Sequence, residues 1–201
     1  IRFLDIISRH AQRLKRLVDD LLVLSDIETG EMRFHFETLS VKEVLDTLLP
    51  LVEQKASAKS IAVERAISAE LPAIRADRDR LSQIFLNILD NAVKFTPEGG
   101  KLRLRVSSDG QSALTVEIGD TGIGIPKDEI PRLGERFYRV DKTRSRELGG
   151  TGLGLSIVKH LLKLHRGEMR IESQQGRGTT VTLTFPVAPA DGGGEPKEER
   201  V

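Results

Sequence analysis

The segment from Asp79 to Leu155 constrains this chain more than any other, because it alternates core-forming periodicity with residues that a core rejects. The stretch ending at Phe95 reads as a helix, and in it Asn87, Asn91 and Lys94 stand at i, i+4 and i+7, so they share one face. Further on, the strand pattern Val116-Glu-Ile-Gly-Asp120 runs directly into Thr121-Gly122-Ile123-Gly124-Ile125. Then come Glu135-Arg-Phe137-Tyr138-Arg139 and the glycine-rich Gly149-Gly150-Thr151-Gly152-Leu153-Gly154, which opens an apolar helix. Four motifs at strand ends and helix starts demand layered strands and helices with glycine turns at their junctions.

The rest of the chain fits that demand. Residues 3 to 26 read as one long amphipathic helix, with Phe3, Ile7, His10, Leu14, Leu17, Leu21 and Leu24 at alternating steps of four and three. Leu4, Ala11, Val18 and Leu22 widen the stripe toward a helical bundle, and Gly30 supplies a left-handed stop. Such an apolar face needs a partner. Met32 to Glu37 alternates as a strand, and Ser40 with Glu43 forms a capping box for a helix to about Ala58, within which Pro50 is a local cost. Short strands are expected at 61–67 and 73–76, and two hairpins at 102–118 and 168–185. A helix is expected from Thr151 to Leu164. The organisation predicted is a bundle helix at 1–28, an α/β domain at 29–187 and a disordered tail at 188–201. The fold class is a two-layer α/β sandwich, a mixed sheet covered by helices on one face.

The residues themselves suggest a site for a phosphorylated ligand. A carboxamide oxygen is a hard, neutral donor suited to Mg²⁺, and Lys94 can offset phosphate charge. The segment Gly150–Gly154 precedes a helix whose free N–H groups favour anions. It contains neither a Gly-x₄-Gly-Lys-Ser/Thr loop nor a Gly-x-Gly-x-x-Gly fingerprint. Taken singly, Asn87/Asn91 is a polar helix face, Asp120-Thr-Gly an ordinary turn, and the glycine run a linker.

Together, in this order and spacing, the four motifs resemble the N, G1, F and G2 boxes of the ATP-binding domain of sensor histidine kinases, in the superfamily that includes gyrase and Hsp90. The resemblance implies the Bergerat-type ATP-binding fold. It implies that Asn91 holds Mg²⁺, that Asn87 and Lys94 contact phosphates, and that Asp120 accepts a hydrogen bond from the adenine amine. It places Phe95, Gly122, Gly124, Ile125, Tyr138, Gly150, Thr151, Gly152, Leu153, Gly154 and Thr179 around ATP. Arg139, Lys142 and Arg146 become candidate phosphate contacts on a lid, and Phe137 the lid's apolar anchor. Hydrolytic relatives carry a Glu four residues before the metal-binding Asn. Asn87 stands there instead, and it cannot take up a proton, which points to transfer onto a histidine rather than to water.

None of the four histidines sits in the family's His-Glu/Asp-x-x-Thr/Asn-Pro context, so no catalytic residue is assigned in this chain. Residues 1–28 look like the second helix of the dimerising hairpin, without the acceptor helix. The start at Ile1, already in helical pattern, predicts a fragment preceded by further chain. The implied partners are a response-regulator receiver domain and a second copy joined through the helix bundle. A membrane would be reached only through upstream segments of a parent in the bacterial inner membrane, with this domain in the cytoplasm. A net charge of +1, 4% aromatic residues and no Trp offer no basis for nucleic-acid binding, and zero cysteines exclude thiolate metal sites. The rival readings are an anti-sigma-type serine kinase and a non-catalytic, nucleotide-gated dimerisation module.

Overall fold

The computed structural model describes residues 2–140, 150–188 and 198–200. It begins with helix α1 (Arg2–Glu28), which ends where Gly30 adopts φ +67°, the left-handed stop expected there. Strand β1 (Arg33–Leu39) turns Phe34, Phe36 and Leu39 inward. Helix α2 (Val41–Ser57) is capped as its sequence predicts, with the Glu43 N–H donating to Ser40 Oγ at 3.4 Å, and Pro50 sits on its exposed side.

Strands β2 (Ala62–Ile67) and β3 (Ile74–Asp77) precede helix α3 (Arg78–Phe95). Asp77 caps α3 by accepting from the Arg80 N–H at 3.0 Å. The hairpin β4 (Lys101–Ser108) and β5 (Ala113–Asp120) turns at Asp109, whose carboxylate accepts from the amides of Gln111, Ser112 and Ala113. Helix α4 (Gly154–Leu164) then leads to a second hairpin, β6 (Glu168–Gln174) and β7 (Gly178–Pro186).

The main sheet runs β2-β4-β5-β7-β6, with β2 parallel to β4 and the other pairs antiparallel. Helices α2, α3 and α4 cover one face. Leu102, Leu104, Val106, Leu114, Val116, Ile118, Leu183 and Phe185 project from the sheet into the core, and Phe85 of α3 meets Phe185 edge-on with ring centroids 6.0 Å apart. The opposite face stays in water and carries alternating charges, with Glu64 bridging Lys101 (3.1 Å) and Arg103 (3.4 Å). This is the two-layer mixed-sheet sandwich that the hairpin and helix pattern predicts.

A small second sheet, β3-β1-β8, uses β8 (Glu198–Arg200) as its outer strand. The tail expectation changes there: three residues placed in a disordered tail pair with the free edge of β1, whose N–H and C=O groups otherwise lack a partner strand.

One buried polar cluster fixes where α3 starts. The Asp77 N–H donates to Nε2 of His165 at 3.1 Å, while Oδ2 of Asp77 accepts from the His35 N–H at 2.8 Å. His165 Nδ1 lies 2.7 Å from the Leu161 carbonyl, so the ring is the neutral tautomer with its proton on Nδ1. Burial holds this imidazole below its usual pKa, opposed by the Leu161 carbonyl and the Asp77 carboxylate. The ring packs against Phe34 and Phe36.

Candidate functional site

A cavity of about 950 Å³ opens between α3, the end of β5, the segment around Gly150–Gly154 and the C-terminal half of α1. Asn87, Asn91 and Lys94 line it from the polar face of α3, as the i, i+4, i+7 spacing predicts. Phe95, Asp120, Gly124, Ile125, Tyr138, Arg139, Gly150, Thr151, Gly152, Gly154 and Thr179 line it too. Two predicted residues stand behind the wall instead. Gly122 is buried and supports Asp120, and Leu153 is a core side chain with no exposed surface. Lys142 and Arg146 lie outside the described residues.

At one end the groups suit a planar, hydrogen-bonding ring. Oδ1 of Asp120 accepts from the Gly122 N–H (2.8 Å) and the Thr179 N–H (3.3 Å), and no described group bonds its second oxygen. Burial raises the pKa of this carboxyl against those two hydrogen bonds. Ile118, Ile123, Ile125, Ile171 and Val181 supply apolar walls around it. The glycines here are required by space. A Cβ on Gly124, where φ is +64°, would lie 2.0 Å from the Gln174 carbonyl oxygen; one on Gly154 would lie 2.8 Å from Asn87 Oδ1. The loop is stitched to its surroundings by Ile123 N–H to the Phe95 carbonyl (3.3 Å) and Gly176 N–H to the Ile123 carbonyl (2.7 Å).

The other end is cationic. Lys94 is pushed down to about 8 by burial and then by Arg139, Arg16 and Arg13, with Asp90 pulling the other way. Its ammonium also lies 5.0 Å from the centroid of the Phe95 ring. Arg139 donates to the Gly150 carbonyl, and the Arg132 guanidinium covers the Tyr138 ring at 4.0 Å. An anion entering here relieves the repulsion among these cations. Two neutral carboxamides face the same space, and among the described residues no group of three His, Asp or Glu forms a cage. That donor set fits Mg²⁺, which keeps waters and phosphate oxygens, better than an ion that needs an all-protein shell.

Three features escape the sequence reading. The first is α1: Arg16, Asp19 and Asp20 line the cavity, and Asp20 Oδ2 accepts from the Thr151 hydroxyl at 2.8 Å. Nothing in the spacing of a charged helix face marks these residues. The second is Ser173, which accepts from the Ile125 N–H (2.8 Å) and spends its own proton on the Gly178 carbonyl (2.9 Å), so that it accepts from the Thr179 hydroxyl (2.8 Å). The third is the apolar pair Ile171 and Val181, legible in retrospect as inward positions of alternating strands.

Two expectations are corrected. The helix expected from Thr151 begins at Gly154, because Gly152 takes φ +77° and the Thr151 hydroxyl accepts from the Leu153 N–H at 3.3 Å. Phe137, expected as an apolar anchor, exposes 57% of its surface, and it is its backbone that is tied down, its N–H donating to the Gly152 carbonyl at 3.0 Å.

Residues 76–189 match the family of histidine kinase-, DNA gyrase B- and HSP90-like ATPases. The phosphate regulon sensor protein PhoR of Pseudomonas aeruginosa is 40% identical over 94% of this chain and 42% of its own length. The crystal structure of full-length ShkA in complex with AMPPNP superposes with a TM-score of 0.79 at 30% identity, over 94% of this chain and 39% of ShkA. Histidine kinase ThkA, solved in complex with response regulator TrrA, shares the fold with a TM-score of 0.74 at 22% identity, over 94% of this chain and 52% of that one. The chain spans less than half the length of the curated relatives it matches. No helix among the described residues is long and apolar enough to cross a membrane. The matched residues cover every element that lines the cavity except α1 and the C-terminal end of α2, and the chain belongs to that family, as the ATP-binding catalytic domain of a sensor histidine kinase.

Proposed function

We propose that the chain binds Mg-ATP in this cavity and directs its γ-phosphoryl group to a histidine supplied from outside the sequence, for relay to an aspartate of a response regulator. The convergence of Asn87, Asn91, Lys94, Asp120 and the Gly150–Gly154 segment on one 950 Å³ cavity carries the reading. The second oxygen of Asp120 accepts from the adenine amine, while Thr179 and Ser173 hold that carboxylate and the neighbouring loop in place. Guanine presents an oxygen where adenine presents N–H, so the same carboxylate rejects it.

Lys94, Arg139 and the amides opening α4 receive the phosphates. Asn91, with Asn87 beside it, would hold Mg²⁺, which when bound neutralises phosphate charge. Asn87 has no lone pair basic enough to deprotonate water, so the site offers positioning and charge stabilisation to a nucleophile that is active already. A neutral imidazole is such a nucleophile. The apolar seam of α1 fits a homodimeric helix bundle that would bring that imidazole. The AMPPNP in ShkA and the response regulator on ThkA support the ligand and the partner by kinship.

Calorimetric titration with Mg-AMPPNP tests the reading. Saturable one-site binding is expected, weakened about ten- to hundredfold by Asp120→Ala, as befits loss of a hydrogen bond to a charged group. Undiminished affinity in Asp120→Ala would remove the adenine assignment.

A further inference from the structure

α1 does more than border the cavity. Asp20 places a carboxylate oxygen 2.8 Å from the Thr151 hydroxyl, at the glycine segment assigned above to phosphate. That hydroxyl in turn accepts from the Leu153 N–H at 3.3 Å, so the carboxylate reaches the start of α4 through one relay. Asp20 is half-buried, and burial raises its pKa against the Thr151 hydroxyl and Arg16 one turn back on α1. The geometry is that of an anion already in contact with an anion-binding loop.

We infer that Asp20 is a phosphate mimic carried on α1, competing with the bound nucleotide's phosphates for the Thr151 hydroxyl, so that α1 docking and nucleotide binding oppose each other. This rests on the ATP reading of the cavity. The apolar contacts of α1 with the domain are confined to its last turns, where Leu24 is buried and Val23 and Ile27 pack on the core. Farther up, Leu14 and Ile7 are 63% and 62% exposed, so the helix can swing away at small apolar cost. Coupling is reciprocal: whatever draws α1 off the domain, such as bundle formation with its apolar seam, raises nucleotide affinity, and nucleotide frees the helix.

The test uses the whole chain, in which the absence of cysteine makes two introduced thiols unique. Nitroxides on Gln12→Cys and Gln111→Cys report the α1-to-sheet distance, and calorimetry with Mg-AMPPNP reports affinity. Asp20→Asn is expected to bind about five- to tenfold more tightly than the parent, the lower range of allosteric couplings. Its spin-spin distances should be broad without nucleotide, whereas the parent's broaden only when AMPPNP is added. Asp19→Asn is the control, since Asp19 lines the same cavity but pairs with Lys15 rather than Thr151. Equal gains in both variants would reduce the effect to net charge and overturn the mimic. An Asp20→Asn affinity within twofold of the parent would overturn it as well. Failure of parent and variants alike to bind AMPPNP would instead sink the ATP reading and the mimic with it, whereas binding by Asp20→Asn alone would support both.

Discussion

α1 and α3 are both amphipathic helices, of 27 and 18 residues, yet they end in opposite environments. On α3 the apolar face is spent inside the domain, with Leu81, Ile84, Phe85 and Leu89 fully buried, and the polar face opens on the cavity. On α1 the apolar face is turned to water, with Leu4 71% and Leu22 58% exposed, while its charged side touches the cavity at Arg16, Asp19 and Asp20. Amphipathicity states only that a helix needs a partner. A sheet within the chain supplies one for α3, and nothing among the described residues does so for most of α1.

Breaking α3's packing should have the largest effect. Phe85→Ala removes a fully buried ring stacked edge-on against Phe185, and a loss of about 3–5 kcal/mol is expected in urea unfolding. A loss below about 1 kcal/mol would mean that α3 is not the core helix described.

Acid comes next, through a device that α3 has and α1 lacks. His165 is neutral when folded, with its pKa held below the usual 6.5, so the unfolded chain binds the extra proton. Its contribution is complete above pH 6.5 and is lost as pH falls toward the folded value, by at most about 1.4 kcal/mol per pH unit. Protonation also puts an N–H where the Asp77 amide needs an acceptor. Urea midpoints at pH 7 and 5.5 should diverge in the parent and converge in His165→Gln; an unchanged gap would acquit this histidine.

Lys94 sharpens the comparison on the polar side. Its pKa of about 8 rises when phosphate binds, so binding takes up a proton as the pH passes 8. AMPPNP affinity is expected to stay level to about pH 7.5 and then fall, by up to tenfold per unit. Lys94→Arg keeps its charge and should flatten the profile.

The smallest effect should be on α1. Leu14→Ala sits at an exposed position, and a change within about 0.5 kcal/mol is expected for the isolated subunit. Where the seam forms the proposed helix bundle, self-association in sedimentation should weaken nonetheless. A large stability loss at low protein concentration would place the seam against this subunit's own domain.

Much of the molecule was legible in advance, for identifiable reasons. Ser40 and Asp77 cap α2 and α3 because a short side-chain acceptor before a helix satisfies free amides wherever it occurs. The hairpin turn at Asp109 and the stop at Gly30 are equally local. Asn87, Asn91 and Lys94 share a face by helical periodicity alone. By contrast, Ser173 is joined to Ile125 across 48 positions, and Asp20 to Thr151 across 131. Neither residue differs in kind from dozens of polar neighbours, and no local rule distinguishes them. Nothing local marks His165 either, since its partner amide at Asp77 is 88 positions away.

The elements, the inward faces and the four motifs are written in the order of the residues, because periodicity, capping and the steric freedom of glycine act within a few positions. Which distant groups complete the cavity is set by the packed fold. It brought Thr179 to Asp120, Gly154 against Asn87 and Asp20 onto Thr151, since such contacts depend on how layers stack and strands register, and these are set by the burial of the whole core.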